Sequence, residues 1–393
     1  MSFSGVLSNL HRLRLPGFAD IPAFWEVLRR DWHGSSVSAT REEQLSAALD
    51  WLVAAWTATG RQGISAGFSL LYGWGAAYPE TTGYLIPTLY DAASLTGRPD
   101  LAGMATSLAE WEIKHQHPSG GIRGYPAGQG DPVAFDTGQV LFGLLDVYRA
   151  TGRNELLESA DRAGRFLLCS QDENGAFSSN VYMRTPHAYD VRISWALLLL
   201  SAATGEARYR EAAERNLDWT LQLRLGNDLF AQNGFLAGQP VITHLLAYTL
   251  EGLLECGALL GREDAVQTVH RVLAKLLELI ERHGRPAGSY REDWSGDYTW
   301  SCLAGDCQLA IVFRKACRTA SESSRYLQSS GQLLETVRRT QILTTGHSGI
   351  RGGIKGSDPI WGPYEKYTIL NWATKFFVDA LLLDMHGRGG GRG

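Results

Sequence analysis

Residues 133–168 read VAFDTGQVLFGLLDVYRATGRNELLESADRAGRFLL and contain two helical patterns on either side of one Thr-Gly pair. The part before Thr151-Gly152 is apolar on nearly every side, which predicts a helix that is buried all round. The part after it places apolar residues every three or four positions with charges between them, which predicts an amphipathic helix. Since glycine commonly ends helices, the stretch predicts a hairpin of one inner and one outer helix.

The same pair of patterns recurs at a nearly constant interval. Thr-Gly stands at residues 96–97, 151–152 and 204–205, and Leu260-Gly261 continues the series, with the glycines 55, 53 and 56 residues apart. Self-similarity at a fixed period indicates an architecture of repeated units, each of which needs its neighbours to bury its apolar face. The sequence therefore predicts at least four copies of one helical hairpin.

Two further hairpins are expected from weaker patterns. One pairs residues 301–320 with residues 330–343. The other pairs an apolar helix at 366–385 with an amphipathic helix at 42–59, so its two halves come from opposite ends of the repeat. Such a split pair lets the chain close a ring. Six inner helices within six outer helices predict an all-α fold, an (α/α)6 toroid, with short β-hairpins in long loops on one face.

The ring is expected to cover residues 41–386, preceded by an extension at 1–40 and followed by a disordered Gly/Arg tail at 387–393. The turn from each inner helix to its outer partner is short, whereas the connection from an outer helix to the next inner helix is long. The long connections must therefore emerge on one face, and long loops in compact domains are usually functional. They are predicted at residues 60–83, 116–137, 171–190, 225–243, 284–300 and 344–366.

The bulk composition is that of a globular protein with a large core. Of the 393 residues, 44% are hydrophobic and 20% are charged, and the net charge of −4 without a basic block argues against a nucleic-acid partner. No apolar run reaches the roughly 18 residues that a membrane span needs. The start, MSFSGVLSNLHRLRLPGF, lacks the apolar segment and cleavage site of a secretory signal, so we expect a cytoplasmic protein.

The five cysteines are odd in number and have neither CxxC nor zinc-site spacing. We expect them to be reduced thiols in the core. The GxGxxG, P-loop and HExxH motifs are also absent. The sequence therefore predicts no metal and no cofactor, and it leaves the oligomeric state open.

Asp136 raises the first question about chemistry, because it is a carboxylate at the start of a helix that should be buried. One interpretation is structural: an acidic N-cap accepts a backbone N–H, and Gln139 three residues later completes a capping-box pattern. The other is catalytic, since a helix start on the loop face would place the acid in a cleft. Asp190 begins an inner helix in the same way and allows the same two interpretations. His244 also begins an apolar helix, and its structural interpretation is a buried histidine with satisfied hydrogen bonds.

The long connections are rich in residue types that bind sugars. Aromatic rings offer apolar faces to sugar rings, and arginine forks suit the carboxylate of a sugar acid. Because the fold sends these loops to one face, their side chains are expected around one cleft. With Asp136, Asp190 and Glu80 as catalytic candidates, the predicted substrate-binding residues are Trp74, Tyr78, Arg123, His187, Tyr189, Arg192, His244, Tyr290, Asp293, Trp294, Trp300, Trp361, Tyr364 and Glu365.

The repeat, length and loop content resemble the six-hairpin glycosidase superfamily over most of the chain. Within it, Phe135-Asp136-Thr137-Gly138 and Tyr189-Asp190-Val191-Arg192, 54 residues apart, are similar to the two aspartate segments of unsaturated glucuronyl or rhamnogalacturonyl hydrolases. The resemblance implies that Asp190 is the general acid/base and that Asp136 is its partner. It also implies a glycoside hydrolase whose substrate is an oligo- or polysaccharide containing uronic acid.

Two other readings stay open. AYPETTGYLIPTLYDAASLTG at residues 77–97 is similar to the toroid domain of glucuronyl C5-epimerases. This resemblance implies proton transfer by Glu80, Tyr78 and Tyr84, with Tyr364 as a further candidate. An epimerase or lyase would remove the proton next to a uronate carboxyl group. The third reading is a toroid that binds polysaccharide without catalysis.

Overall fold

Inner and outer helices alternate along the chain, as the repeat predicts. The structure is a computed structural model that describes residues 21–34, 39–127, 129–320 and 323–386. The helices of these residues are α1 Ile21–His33, α2 Arg41–Ala58, α3 Pro79–Thr96, α4 Pro99–His115, α5 Ala134–Thr151, α6 Asn154–Ser170, α7 Val191–Thr204, α8 Ala207–Gln222, α9 Thr243–Leu260, α10 Glu263–His283, α11 Leu303–Ala316, α12 Ser323–Thr340 and α13 Asn371–Met385.

Six of these helices form a closed inner ring. Helices α3, α5, α7, α9, α11 and α13 pack in that order, and α13 packs in turn against α3. Each inner helix is covered on its outer side by its hairpin partner, and α2 covers α13, so the last hairpin joins the two ends of the repeat. This arrangement confirms the predicted all-α (α/α)6 toroid.

The short turns follow the glycine signal. Gly97, Gly152, Gly205 and Gly261 each end an inner helix in the left-handed conformation, with φ between 67° and 75°. The fifth turn begins at Cys317 in right-handed helical geometry, which needs no glycine. The series of four glycines therefore predicted four turns correctly, and its end marks a real change in the turn.

The six long connections lie on one face. They are loop one (residues 59–78), loop two (116–133), loop three (171–190), loop four (223–242), loop five (284–302) and loop six (341–370). The strands that they contain are β1 Gly67–Ser69, β2 Gly73–Trp74, β3 Ile122–Arg123, β4 Pro132–Val133, β5 Val241–Ile242, β6 Ser289–Tyr290, β7 Gly296–Asp297, β8 Ser301–Cys302, β9 Ile354–Lys355, β10 Ser357–Asp358 and β11 Thr368–Leu370.

Each loop contacts the next one around the ring, so the loops form a second circle above the helices. Strand β5 pairs with β6, β8 with β10, and β11 with β1, which joins loops four to five, five to six and six to one. The remaining links are single backbone bonds, from Ala127 N–H to the Ala77 oxygen at 3.2 Å, from Ala134 N–H to the Asn180 oxygen at 2.7 Å and from Ala188 N–H to the Gln232 oxygen at 3.0 Å.

A threonine in the first turn of several inner helices fixes the loop to the helix. The Thr137 hydroxyl donates to the Val133 carbonyl oxygen at 2.7 Å and accepts the Ile122 N–H at 2.8 Å. Thr82 and Thr374 make the same pair of bonds in their own hairpins. Because these buried backbone groups need partners, the threonine sets how each loop enters its helix.

A glutamine at the end of several outer helices clamps neighbouring hairpins together. The Gln171 side-chain amide donates to the Gly175 carbonyl oxygen at 3.2 Å and to the Ala212 carbonyl oxygen of the next outer helix at 2.8 Å. Gln116 and Gln341 make equivalent pairs of bonds. The clamp ties the start of a long loop to the following hairpin and so passes the ring geometry to the loop face.

The predicted helix boundaries differ from the structure at two places. Helix α13 begins at Asn371 rather than near residue 366, because residues 368–370 pair as β11 with β1 and β9. Helix α12 begins at Ser323, earlier than the predicted residue 330. The first error lies where a tertiary contact, rather than the local apolar pattern, decides the conformation.

The N-terminal extension contains α1, which docks on loop six. Asp31 forms a buried ion pair with Lys355 and accepts the Ile360 N–H at 2.7 Å, while Lys355 also pairs with Asp358 at 2.6 Å. The predicted tail at 387–393 lies outside the described residues. No described helix is long and apolar enough to cross a membrane. Four of the five free cysteines are buried, but Cys169 is exposed, so the expectation of core thiols is wrong there.

We expect Gly175→Ala to lower the free energy of unfolding by about 2–4 kcal/mol, since it combines a left-handed backbone with a clash. Gly175 has a φ of 94°, and an added Cβ would lie 2.2 Å from the Arg215 carbonyl oxygen. Gly103→Ala in α4 is the matched control, because its Cβ would meet nothing within 4 Å. Denaturant unfolding should show the control unchanged or up to about 1 kcal/mol more stable. Equal stability of the two variants would refute the clamp.

Candidate active site

Glu80 and Asp136 form a pair of acids between the neighbouring helices α3 and α5. Both lie in the first helical turn and are buried, Asp136 with only 1% of its surface exposed. The Tyr78 hydroxyl donates a hydrogen bond to Glu80, whereas Asp136 Oδ2 has no hydrogen-bond partner in the described part of the chain. The N-cap of α5 is Val133 without a side-chain cap, so the capping interpretation of Asp136 is wrong.

The environment separates the ionisation of the two acids. Burial raises the pKa of Glu80 to about 7, although the hydrogen bond from Tyr78 and the charge of Arg192 oppose the rise. Burial raises the pKa of Asp136 well above its ordinary value, and the nearby Glu80 raises it further. Because like charges cannot both stay ionised in a buried site, the two carboxyl groups share one proton more readily than they carry two charges near neutral pH.

Asp190 is a third buried acid, at the start of the next inner helix. It ends the short 3-10 turn Ala188–Asp190, and its Oδ2 accepts the His187 backbone N–H at 2.9 Å. Only 3% of its surface is exposed, and burial raises its pKa to about 8 despite that hydrogen bond. Asp190 is therefore mostly protonated at neutral pH.

Tyr189 joins the three acids. Burial raises the pKa of its hydroxyl well above the ordinary value, and the charges of Asp190, Glu80 and Asp136 raise it further, so all three act on one hydroxyl group. Its ring meets Phe135 edge-on at 5.0 Å, and the imidazole of His187 lies edge-on to it at 4.7 Å. The three predicted catalytic acids therefore all lie near enough to Tyr189 for their charges to raise the pKa of its hydroxyl group.

Tyr182 is a site residue that was not among the predicted ones. Its side chain is 46% exposed, and burial, Asp136, Glu80 and Glu365 all raise the pKa of its hydroxyl. Its ring lies 6.4 Å from that of Phe235 in loop four. Tyr182 thus links the acids to loops four and six, and the only signal for it in the sequence was the aromatic content of loop three.

His244 lies in the first turn of α9, the inner helix that packs next to α7 and contacts the turn ending at Asp190. Its Nδ1 is hydrogen-bonded to the Gln308 side-chain oxygen, and its ring lies 4.4 Å from Tyr248 and 5.8 Å from Tyr364. Burial lowers its pKa to about 4, so the imidazole is neutral. The Tyr364 hydroxyl in turn accepts the Trp372 indole N–H at 3.0 Å. His244, Tyr248 and Tyr364 therefore offer neutral polar groups rather than charges.

Arg192 is engaged in the floor of the cleft. It forms a buried ion pair with Glu251, donates to Gln139 at 3.0 Å and lies 4.7 Å above the ring of Tyr248. Lys315 also pairs with Glu251 at 2.9 Å. The expected role of Arg192 as a fork for a sugar carboxylate does not fit these partners. Its positive charge instead lowers the pKa of Glu80.

Four predicted substrate-binding residues of loop five lie apart from the acids. Tyr290, Trp294 and Trp300 are buried, and Asp293 is exposed. The Tyr290 hydroxyl accepts the Ala287 N–H at 2.9 Å, and Asp293 accepts the Ser295 N–H at 2.9 Å. The Trp294 indole N–H donates to the Asn227 carbonyl oxygen at 2.9 Å, and that of Trp300 donates to the Asp297 carboxylate at 3.1 Å. The three rings stabilise loop five and its contact with loop four.

The remaining predicted residues lie in the mouth loops around the acids. Trp74 packs in loop one, Trp361 packs against Trp32 of α1, and Glu365 is exposed beside Tyr182. Arg123 is half-buried on β3. It directly precedes Gly124, where an added Cβ would lie 3.6 Å from Asp136 Oδ2. The backbone that follows Arg123 therefore passes close to Asp136.

Two more buried acids escaped the sequence analysis. Asp306 lies in the first turn of α11, and burial raises its pKa to about 8. Glu112 lies in α4, and burial and the charge of Asp136 raise its pKa well above the ordinary value. Neither carboxyl group has a hydrogen-bond partner among the described residues. Both stand in apolar helical patterns, which give no sign that a carboxyl group faces inward.

Two further kinds of site were sought among the described residues, a metal site and a second cavity. No group of three or more His, Cys, Asp or Glu side chains in the described ranges could hold a metal ion. A cavity of about 260 Å³ lies on the opposite, short-turn face, lined by the ends of α9 and α11 with Glu255, Lys315 and Arg318. It does not touch Glu80, Asp136 or Asp190.

No protein-family model matches this chain, and no curated protein matches it either. Solved structures do match. An unsaturated glucuronyl hydrolase specific for heparin is 14% identical with a TM-score of 0.70, covering 88% of this chain and 97% of that one. The unsaturated glucuronyl hydrolase of Bacillus sp. GL1 is 13% identical with a TM-score of 0.67 and the same coverage.

Cellobiose 2-epimerase from Bacillus thermoamylovorans B4167 also matches, with 12% identity, a TM-score of 0.65 and coverage of 92% of this chain and 99% of that one. The names of all three similar proteins describe enzymes that act on sugars. At this level of identity the likeness shows the fold alone. The chain has an (α/α)6 toroid fold similar to the folds of these solved structures, as its sequence pattern indicated.

Proposed function

We propose that this protein is a carbohydrate-active enzyme, a glycoside hydrolase that cleaves an oligo- or polysaccharide containing uronic acid. The observation that carries the proposal is the convergence of Glu80, Asp136 and Asp190 on Tyr189, with burial holding them in different protonation states. Titratable groups whose environments push their pKa values apart are the usual basis for assigning acid and base roles.

The proposed reaction uses the acids as one donor and one acceptor. Asp190, protonated at neutral pH, gives its proton to the glycosidic oxygen as the bond from that oxygen to the anomeric carbon breaks. A water molecule adds its oxygen to the anomeric carbon and gives its proton to the Glu80–Asp136 pair, which carries one negative charge. A proton that moves from the pair to Asp190 through solvent restores the starting state.

Two features support an acidic sugar. The solved structures named above include unsaturated glucuronyl hydrolases, whose names describe a uronate substrate for those proteins. Arg123 directly precedes Gly124, which lies beside Asp136. Because Arg192 is held by Glu251, Arg123 is the arginine that we assign to the substrate carboxylate, through the bidentate contact that guanidinium groups favour.

A sugar epimerase is the second candidate, and one observation favours it. His244 is neutral and lies beside the rings of Tyr248 and Tyr364, so it offers a base without a charge. A base of that kind could remove a proton from carbon. The two candidates differ in D2O: cleavage without deuterium on carbon supports the hydrolase, and deuterium on carbon without cleavage supports the epimerase.

We expect Asp190→Asn and Asp136→Asn to lower kcat by about 100-fold or more, as the loss of a general acid or base does. The measurement is mass spectrometry of products from a panel of uronate-containing oligosaccharides. Asp293→Asn is the control, because Asp293 is exposed and bonded within its own turn, and its kcat should stay within twofold. If Asp190→Asn retains activity within tenfold, the assignment of Asp190 is wrong.

The pH profile of kcat should be bell-shaped. Glu80 must be ionised to accept a proton, so activity should fall as the pH drops below its pKa of about 7. Asp190 must be protonated to donate, so activity should fall as the pH rises through its pKa of about 8. Residual activity of Asp190→Asn should lose the alkaline limb and keep the acidic one. An alkaline limb unchanged in that variant would contradict the donor role.

A further inference from the structure

Helix α1 presents an aromatic face that the ring does not need. Trp25 is 62% exposed and Trp32 is 76% exposed, and the exposed Arg29 stands between them in sequence. Residues at positions i, i+4 and i+7 lie on one side of a helix. With a rise of about 1.5 Å per residue, the two tryptophans are about 10 Å apart along the helix axis. We call this set of three residues the α1 face.

The opposite side of α1 is firmly held. Val27 is fully buried, and Asp31 is bonded to Lys355 and to the Ile360 N–H of loop six. Lys355 is itself buried, so removing Asp31 would leave a buried charge with one partner fewer. These contacts fix the rotation of α1 about its axis. The α1 face is therefore presented to solvent by anchoring on the other side of the helix.

Two pairs of aromatic rings join α1 to loop six. The rings of Trp32 and Trp361 are 6.3 Å apart, and Phe24 lies 6.2 Å from Tyr367. Trp361 and Tyr367 belong to loop six, which also places Tyr364 in the mouth. Loop six thus contacts α1 and also contributes a side chain to the mouth.

The charge of the α1 face is positive. Arg29 makes no ion pair among the described residues, whereas the adjacent Arg30 is paired with Glu26 at 3.2 Å. Large exposed aromatic side chains are unusual on a protein surface and mark places where something binds. An unpaired guanidinium between two such rings suits a ligand that offers apolar ring faces and carboxylates together.

We infer that the α1 face is a second binding surface for an acidic polysaccharide, outside the catalytic cleft and beside loop six, which borders that cleft. Trp25 and Trp32 would stack on two sugar rings of one chain, and Arg29 would bind a carboxylate between them. This inference rests on the proposed carbohydrate substrate and adds that the substrate is a long acidic chain. It assigns to the N-terminal extension the task of holding that chain beside the mouth.

The test measures binding without turnover. The full-length Asp190→Asn protein is compared with the same protein carrying Trp25→Ala and Trp32→Ala together, and separately with one carrying Arg29→Gln. Calorimetry with polygalacturonate, alginate and hyaluronan chains gives the affinities, and neutral dextran is the comparison ligand. Leu259→Ala is the matched control, because Leu259 is an exposed apolar residue at the end of α9 on the short-turn face.

We expect the double variant to bind at least one acidic polysaccharide tenfold or more weakly, and Arg29→Gln threefold or more weakly, with Leu259→Ala unchanged. Thermal unfolding midpoints should agree among these proteins, because the exchanged side chains are exposed. The difference between Arg29→Gln and the parent should shrink at high salt. Dextran binding should not depend on Arg29.

Two results would overturn the inference. One is equal binding of every acidic polysaccharide by the parent and the double variant, or binding by neither. The other is a loss, in the double variant, of binding to phosphatidylserine vesicles or of self-association in sedimentation, which would identify a membrane or a second copy as the occupant. A failure of the proposed hydrolase activity is separate, since it would appear as an absence of turnover in the unaltered protein while binding persists.

Discussion

The rest of this structure depends on one constraint. Each of the six apolar inner helices must be covered on both flanks. An inner helix such as α5 is apolar on nearly all sides, so an open row would leave apolar surface in water at both of its ends. Packing α13 against α3 removes both ends at once. The closed ring in turn points the inner-helix starts at one face, and that is why acids from three hairpins meet around Tyr189.

The acids of the cleft are buried but can still ionise, because ion-paired side chains lie beneath them. Arg192 sits on the ring of Tyr248 and pairs with Glu251, and Lys315 pairs with Glu251 from another helix. Burial raises the pKa of Glu251, yet Lys315 and Arg192 together lower it to about 2, so it stays charged. The hydrogen bond from Tyr78 and the charge of Arg192 both oppose the rise that burial causes in the pKa of Glu80.

Periodic features were predictable from sequence, and partner choices were not. The glycines at 97, 152, 205 and 261 fixed the hairpins, because a helix end is a local event. Tyr290 and Trp300 looked like sugar-binding aromatics, but their polar atoms find partners inside loop five. The ion pairs in the floor of the cleft were not predicted, because their charged residues lie on different helices within apolar patterns. Only the rotation of each helix in the assembled ring decides that they face one another.

The split hairpin has a consequence for the order in which the protein is made. Helix α2 and strand β1 leave the ribosome early, but their partners α13 and β11 are at the far end of the chain. Until those last residues are translated, the apolar flank of α3 has no cover and loop one has no neighbour in loop six. The nascent chain therefore holds five hairpins with an unfinished mouth, and only the final helix turns it into a closed cleft.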